Sequence, residues 1–227
     1  MRPAMKFTLS LRRGRLTGLA RVSIAAAAVV AGCANLPSSV ELDAQAEAMM
    51  QASFRDEGIA LATRIQQDLA QKSCSAEKPP EEALARQIEA MSLATIRWPA
   101  NGHYLGDWRE GEKLAQNGRG MTWTDPSDKP AGNGGSCYNC HQVGKAEVSF
   151  GTIGPSLYNY GKLRGVKDPV DPASAAIVQY TWGKLWNAKA YSACSHMPRF
   201  GHMGLLDEGQ IRHLMALLLD PKSPVNQ

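Results

Sequence analysis

The densest set of reactive side chains lies in five residues, Cys137-Tyr-Asn-Cys140-His141, where two thiols separated by two residues are followed directly by an imidazole. A structural zinc site needs four ligands, and no second Cys or His pair stands at the matching spacing. A redox dithiol of the thioredoxin type belongs in a sheet-rich fold, which this sequence does not indicate. The pattern instead predicts one covalent c-type haem, with Cys137 and Cys140 as the thioether anchors and His141 as an iron ligand.

The segment HMPRFGHM, residues 196–203, offers side chains for the second axial position of a haem iron. Met197 precedes a proline, whose fixed φ stiffens the loop. A methionine thioether is the ligand that raises the haem potential in electron-transfer cytochromes. The sequence therefore favours Met197, and the alternatives are Met203, His196 and His202. Four other methionines are interpreted as core-filling side chains: Met49, Met50, Met91 and Met215.

The stretch TIGPSL, shortly after the haem motif, resembles the G-P-x-L loop of class I cytochromes c. In that family the proline carbonyl accepts a hydrogen bond from the proximal imidazole, which fixes the ring and tunes the iron. The resemblance implies that Pro155 binds His141 and that Leu157 packs on the haem face. The alternative for Pro155 is an ordinary turn proline.

Residues 1–33 are typical of a secretory signal, because a basic stretch to Arg21 precedes an apolar run too short to span a bilayer. The run ends in VAGC, which resembles a lipobox with Cys33 as the lipidated residue; a plain cleaved signal is the alternative. Both readings predict a periplasmic protein, tethered to a membrane if Cys33 is lipidated. The leader carries six basic residues and no acidic one, whereas the formal net charge of the whole chain is only +4. The rest of the chain is therefore net negative, and its charge indicates no nucleic-acid partner.

Two cysteines, Cys74 and Cys194, remain once the lipobox cysteine and the two motif cysteines have roles. In an oxidising compartment such a pair predicts a disulfide. The bond would pin the segment before residue 98 against the loop that carries Met197. The alternative is a pair of buried free thiols.

The elements that must position these groups are predicted to be helices, so the expected fold class is all-α. Residues 34–97 are predicted to form a helical N-terminal extension, in which Leu61, Ile65 and Leu69 lie four apart on one helical face. The final helix is expected to open with a capping box, formed by Asp207 and the glutamine three residues later. Short helices joined by long loops bury little apolar surface, and a large apolar cofactor would supply the missing core.

The stretch from residue 98 to 227 carries a more specific resemblance than the haem motif alone. It contains GDWREGEKLAQNGRGMTW, NGGSCYNCHQ, GTIGPSLYNYGKLRG, IVQYTWGKLWNAKAYSACSHMPRFGH and LLDPKSPVN. Together these segments resemble the SoxX family, the monohaem subunits of the SoxAX cytochromes of bacterial sulfur oxidation. The resemblance implies a class I cytochrome c fold for residues 98–227, with His141 and Met197 as the iron ligands and one covalent haem c.

The resemblance also implies a function and partners. In that family the subunit forms a heterodimer with SoxA, and the complex is an S-thiosulfotransferase that couples thiosulfate to a cysteine of the carrier SoxYZ. The substrate-handling cysteine lies on SoxA, so no catalytic residue is expected in this chain. Its expected role is to accept electrons and pass them to a downstream cytochrome c. The alternative is a free periplasmic electron-shuttle cytochrome c with no enzymatic partner.

Overall fold

The computed structural model describes residues 36–227, and all the regular structure in that range is helical. The predicted all-α class is confirmed for this part of the chain, in which no β-strand is present. The α-helices are α1 Ser39–Ser53, α2 Leu69–Cys74, α3 Glu82–Leu93, α4 Trp108–Gln116, α5 Tyr160–Leu163, α6 Ala175–Trp186 and α7 Glu208–Leu219. The predicted signal and its lipidation candidate Cys33 lie outside the described residues. None of the helices within 36–227 is long and apolar enough to cross a membrane.

The chain divides into two units after Phe54. In the first unit, α1 opens with a capping box in which Ser38 and Glu41 satisfy each other's backbone N–H groups, and the helix buries none of its side chains. The second unit begins at Arg55 and runs to the end of the chain. Residues 55–97 therefore belong to the same compact unit as residues 98–227, which differs from the boundary expected at residue 98.

The helical face expected from Leu61, Ile65 and Leu69 does not form as one helix. Gly58 turns the chain with a φ of +54°, and a side chain there would overlap the backbone carbonyl of Trp123. A short 3₁₀ turn, Ala62–Ile65, follows, and α2 then starts afresh at Leu69. The four-residue spacing was produced by two separate elements, so periodicity alone gave the wrong helix here.

The main core lies where α4, α6 and α7 meet. On α7 one face is buried and consists of Ile211, Leu214, Met215 and Leu218. The predicted capping box at Asp207 is also present, with Gln210 as its partner. Trp182 of α6 is fully buried, and its indole N–H donates to the carbonyl of Arg97 over 2.8 Å. That bond fixes residues just before 98 to the core of the unit.

A smaller core holds residues 68–93 against the loop that follows α6. Ala70 of α2 and Ile88 of α3 are buried against Ala193 in this cluster. Its partly buried members include Leu84, Ala85 and Cys194. The smaller core places α2 and α3 directly beside the predicted iron-ligand loop.

The expectation that four methionines fill the core is right for one of them and wrong for three. Met215 is fully buried, whereas Met49, Met50 and Met91 are 66%, 41% and 53% exposed. The first two lie on α1, which has no buried face. On α3 the buried stripe runs through Ile88 and Ser92, four residues apart, which leaves Met91 on the solvent side.

Candidate haem site

One cavity in the second unit, of about 630 Å³, is lined by every side chain that the sequence assigns to a haem: Cys137, Cys140, His141, Pro155, Leu157 and Met197. Its volume falls within the roughly 300–1,000 Å³ usual for cofactor and ligand sites. The remaining walls are mainly apolar and come from α4, α6 and α7, through residues such as Ala115, Leu185, Leu214, Leu217 and Leu218. The thiols and the imidazole of residues 137–141 line one part of the cavity, and the loop of residues 193–199, called the methionine loop below, lines another.

The cysteine wall is formed by a tight 3₁₀ turn, Cys137–Asn139. Ser136, just before the turn, has a left-handed φ of 49°, and the N–H of His141 donates to the carbonyl of Cys137 over 2.9 Å. These two features bring both thiols and the imidazole to the cavity. The thiols of Cys137 and Cys140 are free rather than joined to each other. Burial raises the pKa of Cys137 to about 12.

His141 is oriented by the loop after the motif. Its Nδ1 lies 2.7 Å from the carbonyl oxygen of Pro155, the contact that the G-P-x-L resemblance implies. Because a carbonyl can only accept, the proton of this hydrogen bond lies on Nδ1, and Nε2 is the ring nitrogen with which a neutral imidazole would bind a metal. The N–H of Gly154 donates to Cys140 and that of Leu157 to Gln142, over 2.8 and 2.7 Å, so the loop is fastened directly to the motif.

Gly154 also makes room for the imidazole, a role that the sequence analysis does not predict. A Cβ at this position would overlap the ring of His141. The glycine in the G-P-x-L pattern was the available signal, because a glycine beside a functional ring often permits close approach of the backbone.

We expect Gly154→Ala to destabilise the protein by about 1–3 kcal/mol, the usual cost of forcing a methyl group into packed space. Urea unfolding followed by circular dichroism measures the change. Gly132→Ala is the matched control, since a Cβ there meets no atom within 4 Å, and its stability should remain within about 0.5 kcal/mol of wild type. An equal effect of the two substitutions would contradict the assigned contact.

The four candidates for the second iron ligand differ in whether they line the cavity. Met197 is partly buried and lines the cavity, and Pro198 follows it on the same wall. Met203 is 54% exposed, and neither it nor His202 lines the cavity. His196 lines the cavity but is exposed. The geometry therefore leaves Met197 as the best-placed ligand and His196 as its one competitor at the cavity wall.

The donor set fits a covalently bound haem. Two free thiols, an imidazole with its second nitrogen fixed by a carbonyl, and a thioether surround a mainly apolar space. A haem iron already has four ring nitrogens and needs only two protein ligands. Within residues 36–227, no group of three or more His, Cys, Asp or Glu side chains is arranged to hold a bare metal ion.

A disulfide joins Cys74, the last residue of α2, to Cys194 in the methionine loop. The two residues are 120 positions apart in the sequence. The pair left over in the cysteine count is therefore bonded in the structure, three residues before Met197. This bond links residues 55–97 to the loop that carries Met197.

Residues 36–227 are thus all-α, and the candidate site is a mainly apolar cavity in the second unit. The chain is 36% identical, over 163 residues, to a protein of Aquifex aeolicus (strain VF5) described as an uncharacterized lipoprotein. The similarity covers 71% of this chain and 73% of that relative, and the chain belongs to the same family. No protein-family model matches the chain.

Proposed function

We propose that this chain is a monohaem c-type cytochrome of the class I fold, acting as the electron-accepting subunit of a SoxAX-type complex. The observation that supports the cytochrome assignment is the single cavity that joins the Cys137–His141 motif to Met197, some 55 residues further along the chain. Bound haem supplies a one-electron iron couple in an apolar site. The resemblance of residues 98–227 to the SoxX family supports the choice of complex.

The side chains around the cavity have distinct roles in this proposal. Cys137 and Cys140 anchor the haem covalently, and His141 and Met197 bind its iron. The backbone carbonyl of Pro155 accepts a hydrogen bond from Nδ1 of His141, and this bond orients the ring so that Nε2 is the nitrogen that would bind the iron. Leu157 and the apolar walls exclude water, and together with a thioether ligand this favours the reduced iron and hence electron acceptance.

The proposed reaction takes place on the partner. Joining a carrier thiol of SoxYZ to thiosulfate forms one S–S bond and releases two electrons and one proton. The substrate-handling cysteine belongs to SoxA, and this chain receives the electrons one at a time and passes them to a downstream cytochrome c. We assign it no catalytic residue.

We also propose that the protein is a periplasmic lipoprotein, anchored through Cys33. The VAGC stretch supports this assignment, as does the description of the Aquifex aeolicus relative as a lipoprotein. Helix α1, with its side chains exposed, follows a few residues after the proposed anchor. Mass spectrometry of the N-terminal peptide from native membranes tests the anchor, and an unmodified Cys33 would contradict it.

A free electron shuttle is the second candidate. Arg164 and Lys184 line the same cavity, and basic side chains beside a haem would suit an acidic docking partner. Purification of the chain from thiosulfate-grown cells separates the two functions. A SoxAX subunit should copurify with a second haem protein, and its haem should be reduced by thiosulfate only when SoxA and SoxYZ are present. Failure of both results would favour the shuttle.

We expect Met197→Ala to abolish the near-infrared methionine-to-iron band of the oxidised protein and to lower the haem reduction potential, because the sixth ligand is lost. Met203→Ala is the matched control, since this methionine is exposed and lies outside the cavity, and it should keep the band. Survival of the band in Met197→Ala would transfer the ligand role to another side chain.

A further inference from the structure

The loop that carries Met197 is fastened to residues 68–89 on both sides of the methionine. Before it, Cys194 is bonded to Cys74, and the N–H of Ala193 donates to a carboxylate oxygen of Glu89 over 3.1 Å. After it, the guanidinium of Arg199 lies 2.7 Å from Asp68. The loop therefore does not depend on the cavity alone for its conformation.

The Asp68–Arg199 pair links a helix start to the ligand loop. One carboxylate oxygen of Asp68 accepts the N–H of Gln71 over 2.8 Å and caps α2, while the other binds Arg199. The Arg199 side chain is only 11% exposed. Because the Arg199 side chain is largely buried, water screens this ion pair less than it screens a pair on the surface. The pair holds Arg199, two residues after Met197, against α2.

Lys189 binds the same loop through its backbone carbonyls. The residue is buried, and its ammonium donates to the carbonyls of Ala193 and Ser195 over 3.0 and 3.4 Å. It takes part in no salt bridge among residues 36–227, so these loop carbonyls are its closest compensation for burial. If the loop moved away, a buried cation would lose its acceptors, and Lys189 therefore favours one loop conformation.

We propose that Lys189, together with the Asp68–Arg199 pair, is a positioning group for the methionine ligand of the haem iron. It fixes residues 193–199 before iron is bound, so that Met197 meets the metal without further ordering of the loop. A neutral thioether is a weak ligand, and preorganisation of its loop decides how firmly it stays bound. The inference rests on the proposed ligation by Met197.

The test follows the methionine-to-iron band and the far-ultraviolet helix signal of the oxidised holoprotein during urea unfolding. In Lys189→Met the equilibrium constant for methionine release should rise by about tenfold, the loss expected for one hydrogen bond to a charged group. The band should then disappear at lower urea than in wild type while the helix signal persists, and the reduction potential should fall. Lys72→Met, at an exposed position on α2, is the matched control and should leave the gap between the two transitions unchanged.

A second variant keeps the test decisive if Lys189→Met fails to fold. Asp68→Asn neutralises the partner of Arg199 but retains a side chain that caps helices well, so α2 should survive. Its control is Glu82→Gln, which neutralises the exposed Glu82–Arg86 pair of α3. We expect methionine release to become easier in Asp68→Asn, by about threefold, and to stay unchanged in Glu82→Gln.

The outcomes separate this inference from the proposed function. A wild-type protein with no methionine-to-iron band overturns the ligand assignment and the inference together. The positioning role alone is overturned by a different result. In that case wild type shows the band, but the difference in urea concentration between loss of the band and loss of the helix signal is unchanged in Asp68→Asn and in any folded Lys189→Met protein.

Discussion

Replacing both Cys137 and Cys140 with serine will leave the protein without covalently bound haem. Serine is close to cysteine in size, but its hydroxyl does not form the thioether that joins the protein to the haem vinyl groups. The two thiols line the cavity, and among residues 36–227 no other cysteine is free to act as an anchor. Haem staining after denaturing electrophoresis measures the loss, which should be complete.

The matched control replaces the other two described cysteines with serine. Cys74→Ser with Cys194→Ser also removes two sulfur atoms, but their disulfide lies outside the set of residues that line the cavity. This control should still carry covalent haem after denaturation. Equal staining of the two double variants would show that the Cys137–His141 motif does not hold the cofactor.

The same control is expected to cost the protein much of its stability. A cross-link between residues 120 positions apart closes a long loop, and the chain-entropy relation assigns such a loop roughly 4–5 kcal/mol. The bond also ties the smaller core to the methionine loop, so the unfolding free energy should fall by about that amount. Urea unfolding of the oxidised proteins gives the value.

Reduction provides an independent check of this effect. Wild type treated with a thiol reductant should approach the stability of the double-serine variant, whereas the variant itself should not respond. A difference below about 1 kcal/mol between wild type and variant would show that the bond contributes little beyond the surrounding contacts.

The parts of the structure that could be predicted from sequence depend on neighbouring residues. The capping box of Asp207 and Gln210 spans four residues, and the turn that presents Cys137 and His141 is contained in five. The contact of Pro155 with His141 follows from a short loop that rejoins the motif. Such features are set by local geometry and can be recognised before the fold is known.

The parts that could not be predicted depend on residues far apart in the chain. Leu61 and Leu69 share a helical spacing, but a 3₁₀ turn ends at Ile65 and the cap at Asp68 starts a new helix. Gly58, which precedes this segment, lies against the backbone of the distant Trp123. No local pattern pairs Asp68 with Arg199 or places Lys189 beneath the loop carbonyls. The compact unit likewise starts at Arg55, because contacts with residues 98–227 rather than composition define it.

The proposed cytochrome function depends most directly on the presence of one covalent haem at Cys137 and Cys140. Mass spectrometry of the tryptic peptide that contains residues 137–141, from protein isolated from its native host, tests this attachment directly. We expect a peptide heavier by the mass of one haem, with both cysteines modified. A peptide of unmodified mass, or one with the two cysteines joined in a disulfide, would contradict it.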